Sequence, residues 1–195
     1  MLDFRQARFV LSAPSLEEGP KDVKKEVVFI GRSNVGKSSL LNALCDQKHL
    51  AFTSSKPGHT KLLNYFQLAE GIYFVDAPGY GYHASGKQNT LQFGTMMENY
   101  FQKCQTLKGV IFLLDARRVP LEEDIAFLSF IEECHIPCHI VLTKCDKLNQ
   151  KERAAMIRNM KNAFPDVKQE NILVTSIFQK STLLPLKEAI CSLLK

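Results

Sequence analysis

Two glycines bracket four residues and are followed at once by a lysine and a serine in the run Gly31-Arg32-Ser33-Asn34-Val35-Gly36-Lys37-Ser38. Glycines at that spacing let a backbone fold around an anion with its N–H groups. The lysine adds a reaching positive charge, and the serine hydroxyl is a hard oxygen ligand of the kind magnesium takes. This is phosphate chemistry, and its flanks suit it. Val27 to Ile30 reads as a strand, and Ser39-Leu40-Leu41-Asn42-Ala43-Leu44 continues as a helix whose N-terminal dipole attracts the same anion. The pattern predicts that Gly31 to Ser39 cradle nucleotide phosphates, with Lys37 on the β and γ groups and Ser38 on Mg2+.

A second constellation selects the base. Thr143-Lys144-Cys145-Asp146 follows the apolar run His139 to Leu142, so it lies at the carboxyl end of a strand, where open α/β sheets bind ligands. A carboxylate at Asp146 accepts hydrogen bonds from the N1–H and exocyclic amine of guanine, whereas adenine offers an acceptor at N1. Lys144 can lay its stem along the base plane. Val174 closes the last strand, and Thr175-Ser176 after it are expected to offer their N–H groups to the guanine carbonyl.

Between these sites lie two candidate switches. Asp76-Ala77-Pro78-Gly79 ends the run Ile72 to Val75, which sets Asp76 beside the magnesium and the Gly79 N–H beside a γ phosphate. Gly58-His59-Thr60 lies in a polar loop, and the Thr60 hydroxyl would join the magnesium only when GTP orders that loop. Many signalling GTPases place a water-orienting Gln directly after the second-switch glycine; here that residue is Tyr80, so slow intrinsic hydrolysis is expected. Lys37, Thr60, Gly79 and Asn34 form the candidate catalytic set. The missing function falls either to a group supplied in trans or to a potassium ion with Asn34 as a candidate ligand, the alternative for Asn34 being a turn residue.

The elements that must carry these residues are legible from hydrophobic period. Strands are predicted at Ala7 to Leu11, Val27 to Ile30, Leu63 to Leu68, Ile72 to Val75, Val110 to Leu114, His139 to Leu142 and Ile172 to Val174. Helices are predicted at Ser38 to Cys45, Thr90 to Cys104, Leu121 to Glu133, Lys151 to Asn162 and Leu184 to Leu194. Ala69-Glu70-Gly71 reads as a hairpin turn. The alternation implies an α/β P-loop G domain: a mostly parallel sheet of six to seven strands, one antiparallel edge, and helices on both faces. Residues 1–25 would be an N-terminal strand and loop packed on a G domain of residues 26–195. The loop Gly79 to Gly86, with Tyr80, Tyr82, His83 and nearby Lys87, is expected as exposed surface.

Composition bounds the rest. With 195 residues and 45% apolar content the chain is one globular domain rather than a disordered or fibrous one. The net charge of +5 suits a polyanionic partner without requiring one. Six cysteines and no signal-like N-terminus indicate reduced thiols and a cytoplasmic monomer without membrane contact. The run Cys134 to His139 lacks a distant second ligand pair and is set aside as a metal site, while Phe112, Phe127 and Phe130 read as core. A nucleotide kinase would leave Asp146 and Thr60 without roles.

Beyond the generic motifs, Pro57-Gly58 with Thr60 and Asn64, Asp76-Ala77-Pro78-Gly79-Tyr80-Gly81-Tyr82, Asp115 with Arg117 and Pro120, and Asp146-Lys147-Leu148 complete a pattern over nearly the whole chain. In this the sequence resembles the bacterial EngB (YihA/YsxC) family, within the TrmE-Era-EngA-YihA-Septin-like superfamily. The resemblance implies a GTPase that acts in assembly of the large ribosomal subunit, with that subunit or its rRNA as partner, and that is needed for normal septation. A nucleotide-gated adaptor of the division machinery with little turnover is the alternative.

Overall fold

The computed structural model describes residues 2–52, 62–80 and 86–195, the side chains of 86–93 excepted. The described strands are β1 (Arg8–Ala13), β2 (Lys25–Gly31), β3 (Leu63–Ala69), β4 (Ile72–Asp76), β5 (Leu107–Asp115), β6 (Cys138–Thr143) and β7 (Ile172–Val174). They form one sheet in the order β1-β3-β4-β2-β5-β6-β7. From β4 through β7 every pairing is parallel; β3 alone runs against its neighbours β1 and β4. The helices are α1 (Lys37–Leu44), α2 (Gly86–Lys103), α3 (Glu122–Glu133), α4 (Gln150–Ala163) and α5 (Leu184–Leu193).

The central strand explains the layering. A parallel strand covered on both faces must be apolar almost throughout, and from Glu26 onward every residue of β2 is buried. Side chains alternate across the sheet, so Val28 and Ile30 join Tyr100, Phe101, Leu128, Ile131, Met156 and Met160 of α2, α3 and α4. Val27 and Phe29 join Leu40, Leu41 and Leu44 of α1 and Leu186 and Ile190 of α5 on the other face. Phe112 is buried, and Phe127 and Phe130 pack against the same cluster, as expected of core aromatics.

The predicted elements are all present, with shifted ends. β5 begins at Leu107 rather than Val110 because Lys108 and Gly109 conceal its start from an apolar count. Gly109 is small for a reason: a Cβ there would lie 2.7 Å from Leu193 Cδ1 of α5. The antiparallel edge is present as expected: β3 pairs with β4, β1 pairs with the outer side of β3, and Phe4 from the preceding turn packs edge-on against Phe74 at 5.3 Å. The hairpin turns at Glu70-Gly71; Gly71 has φ +73° and its carbonyl accepts from the N–H groups of Lys24 and Lys25. Among the described residues no helix is long and apolar enough to cross a membrane.

Candidate functional site

The phosphate loop leaves β2 in a conformation its residue types dictate. A Cβ on Gly31 would lie 2.6 Å from the Leu113 carbonyl oxygen, a backbone atom that cannot yield. Asn34 (φ 64°) and Gly36 (φ 105°) are both left-handed, a conformation open to glycine and tolerated by asparagine. The turn they make is closed by Val35 N–H donating to Arg32 O at 3.1 Å. Helix α1 starts at Lys37, and its first bond runs from Leu40 N–H to Gly36 O at 2.9 Å. The N–H groups of Lys37, Ser38 and Ser39 thus stand at the helix N-terminus, the position that binds anions. The Lys37 ammonium pairs with the Asp76 carboxylate at the end of β4, both side chains being nearly buried.

After Asp76 the chain is stitched to the phosphate loop. Ala77 N–H donates to Phe29 O (3.0 Å), Tyr80 N–H to Gly31 O (3.3 Å) and Ser33 N–H to Tyr80 O (3.1 Å). Pro78 is buried, and Gly79 sits so close that a Cβ would fall 2.9 Å from Ser33 N. The expectation that Tyr80 belongs to an exposed loop is corrected. It is 8% exposed, with its ring 5.3 Å from Phe127 and 6.2 Å from Phe112, because a ring in this position finds an aromatic slot under α3. Residues 81–85, with Tyr82 and His83, and Gly58, His59 and Thr60 of the first switch lie outside the described residues, as does the side chain of Lys87.

At the base end, β6 delivers Thr143, whose buried hydroxyl donates to Val35 O at 2.7 Å and so ties β6 to the phosphate loop rather than facing a ligand. Lys144 is left-handed (φ 62°); its ammonium bridges Asn34 O (2.8 Å) and Asp115 Oδ2 (3.0 Å). Burial would raise the Asp115 carboxyl, but hydrogen bonds from Arg117 and Lys144 outweigh it and hold the group well below the usual carboxylate range. Asp146 Oδ1 accepts from Ser176 Oγ at 2.7 Å, which fixes the carboxylate's plane.

The expected use of Thr175 and Ser176 backbone donors is corrected. Thr175 N–H is taken by Leu142 O (2.8 Å) as the extension of β7 on β6, and Ser176 N–H by Thr182 Oγ1 (2.9 Å). Of the three N–H groups from Thr175 to Ile177, that of Ile177 has no acceptor among the described residues. Val174 ends β7 with its side chain exposed. The structure therefore assembles Gly31 to Ser39, Asp76 to Gly79, Lys144, Asp146 and Ser176 at the carboxyl ends of β2, β4, β6 and β7, with Asp115 of β5 among them. Sequence reasoning had no positional role for Asp115, Ile177 or Thr182. The apolar run into Asp115 was a usable signal for the first; the other two depend on packing.

Comparison with known proteins gives the family. Residues 26–144 match the family model described as 50S ribosome-binding GTPase. A probable GTP-binding protein EngB of Heliobacterium modesticaldum is 41% identical over 90% of this chain and 85% of its own length. Its counterpart in Chlorobaculum tepidum is 42% identical over 86% and 87%. Among solved structures, a probable EngB superposes with a TM-score of 0.67 over 87% of this chain and 98% of its own, at 19% identity, a likeness of fold alone. Aquifex aeolicus Era bound to GDP.AlF4- also reaches 0.67, at 26% identity, over 87% of this chain and 56% of its own. With the fold, the phosphate loop and a relative this similar over nine-tenths of the present chain, the chain belongs to the EngB family of GTP-binding proteins.

Proposed function

We propose that this chain is a Mg2+-dependent GTPase that hydrolyses GTP to GDP and phosphate, and that its GTP form docks on a maturing large ribosomal subunit in the cytoplasm. The observation that carries the reading is the linkage of both ends of the site. Lys144 ties the phosphate loop at Asn34 to Asp115, while Ser176 aims Asp146 from the neighbouring strand end. A purine nucleoside phosphate is the ligand that spans those two ends.

In this reading the N–H groups from Gly36 to Ser39 and the Lys37 ammonium take the phosphates, Asp146 takes the guanine N1–H and amine, and Ile177 N–H, in place of Thr175 and Ser176, meets the guanine carbonyl. The donor chemistry fits magnesium: the Ser38 hydroxyl, in the first turn of α1, and the Asp76 carboxylate, at the end of β4, are hard oxygens. When bound, that ion neutralises charge on the β and γ phosphates. Thr60 is the proposed sensor of GTP. Tyr80 is directed into the core and cannot orient water, so turnover is slow until a partner or potassium adds charge neutralisation. Equal turnover in potassium and sodium chloride at matched ionic strength, with and without ribosomal particles, would exclude potassium.

The family model's description and the net charge of +5 support the ribosomal partner. A role in septation follows from assembly in this reading; the adaptor alternative makes it direct and turnover dispensable. Co-sedimentation with large ribosomal subunits separates them. Binding with a non-hydrolysable GTP analogue and not with GDP supports the assembly factor. Absence of binding in either state, with nucleotide occupancy verified, favours the adaptor.

A further inference from the structure

Helix α3 begins some distance in sequence from every nucleotide motif, yet both segments that border the γ-phosphate position reach it. From the phosphate loop, Arg32 Nη1 lies 3.0 Å from Glu123 Oε2 and 3.8 Å from Asp124 Oδ1. From the segment after β4, the Tyr80 hydroxyl donates to Asp124 Oδ1 at 2.7 Å. Asp124 Oδ2 in turn accepts from Leu121 N–H at 2.8 Å and closes the first turn of α3, so the carboxylate cannot swing without loosening the helix start.

The Tyr80 peptide is held equally firmly. Its N–H and C=O both bond to phosphate-loop backbone, at Gly31 and Ser33, and Gly79 directly precedes it. Packing alone does not call for the hydroxyl, since phenylalanine would fill the slot between Phe112 and Phe127. A buried hydroxyl is tolerated because Asp124 accepts from it. Burial, reinforced by Asp124, raises the Tyr80 phenol, so it remains a donor throughout the working pH range.

We propose that Tyr80 is a positioning residue for nucleotide discrimination: its hydrogen bond to Asp124 fixes the Gly79 N–H where a γ phosphate can accept from it, which makes the start of α3 part of the choice of GTP over GDP. The inference rests on the GTPase reading and on the role expected of Gly79 from its sequence, an N–H donated to the γ phosphate. GDP lacks the group that Gly79 would contact, so loosening this peptide weakens GTP binding and spares GDP binding. A merely structural tyrosine would affect both alike.

The test measures affinities for GDP and a non-hydrolysable GTP analogue, with melting temperatures, for Tyr80→Phe, Asp124→Ala, their double variant and Gly79→Ala. The expected result is a roughly fivefold to tenfold loss of analogue affinity in Tyr80→Phe, with GDP affinity within about twofold of the parent. The double variant should lose no more than the worse single one, because the bond that Tyr80→Phe removes is already gone once Asp124 is truncated. Equal losses for the two nucleotides in Tyr80→Phe, or additive losses in the double variant, would overturn the proposal. So would an unchanged Tyr80→Phe beside a Gly79→Ala that loses the analogue selectively, which leaves the role of Gly79 standing. A Gly79→Ala protein that binds both nucleotides as the parent does would overturn that role and the proposal together.

Discussion

Replacing Ser176 by Ala tests how the base pocket is held. The hydroxyl donates to Asp146 Oδ1 at 2.7 Å and accepts from Phe178 N–H at 3.1 Å, and Ser176 is 1% exposed. Without it, the charged group left beside the carboxylate among the described residues is Lys147 Nζ at 3.8 Å, on an exposed stem. Hydrogen bonds to charged groups contribute about 1.5–3 kcal/mol. The Asp146 side chain retains 15% exposure, and water can replace part of what is lost. A weakening of binding by about 1–2 kcal/mol follows, which is roughly fivefold to thirtyfold in Kd. Because the base is common to both nucleotides, GDP and a GTP analogue should lose equally in calorimetric titrations. Unchanged affinity, or a loss confined to the GTP analogue, would refute the assignment of Ser176 as the residue that orients Asp146.

Asp115→Asn removes the carboxylate that clamps Lys144 and Arg117, so nucleotide affinity should fall several-fold and the acid limb of stability should flatten. The sign follows from the lowered folded-state value: the stabilisation is full above the unfolded carboxylate value of about 4 and is lost as pH falls toward the folded value. Urea titrations from about pH 6 to pH 3 check it, and identical acid limbs for parent and variant would contradict it. Asn42→Ala leaves the Ala51 N–H and C=O without the buried amide that they meet at 2.7 and 3.0 Å, at a cost of about 2–3 kcal/mol by chemical denaturation. A change below about 0.5 kcal/mol would show that water replaces the amide there.

The architecture was legible where pattern and motif coincide. In β2 an apolar run ends in Gly31, and the same residue both stops the strand and opens the phosphate loop, so one stretch of sequence reports fold and chemistry together. The helices were readable from their apolar period, and α4 additionally carries an Asn149–Glu152 capping box. What stayed hidden depends on tertiary neighbours. Lys108 and Gly109 disguise the start of β5 because the pressure on Gly109 comes from Leu193 of α5, at the far end of the chain. A motif names residue types but not which backbone donors are already taken. Thr182, in the turn before α5, claims the Ser176 N–H and moves the available donor to Ile177. Tyr80 likewise read as surface from its glycine-bearing loop, and only the slot between Phe112 and Phe127 makes it core.

The central claim is that the carboxylate at the end of β6 reads guanine. Asp146→Asn presents an amide donor where the carboxylate accepted, with the fold around Ser176 kept. Competition of xanthosine and guanosine diphosphates for the variant is predicted to reverse the parent's preference in favour of xanthosine diphosphate. A variant that still prefers guanosine diphosphate as the parent does would contradict the account.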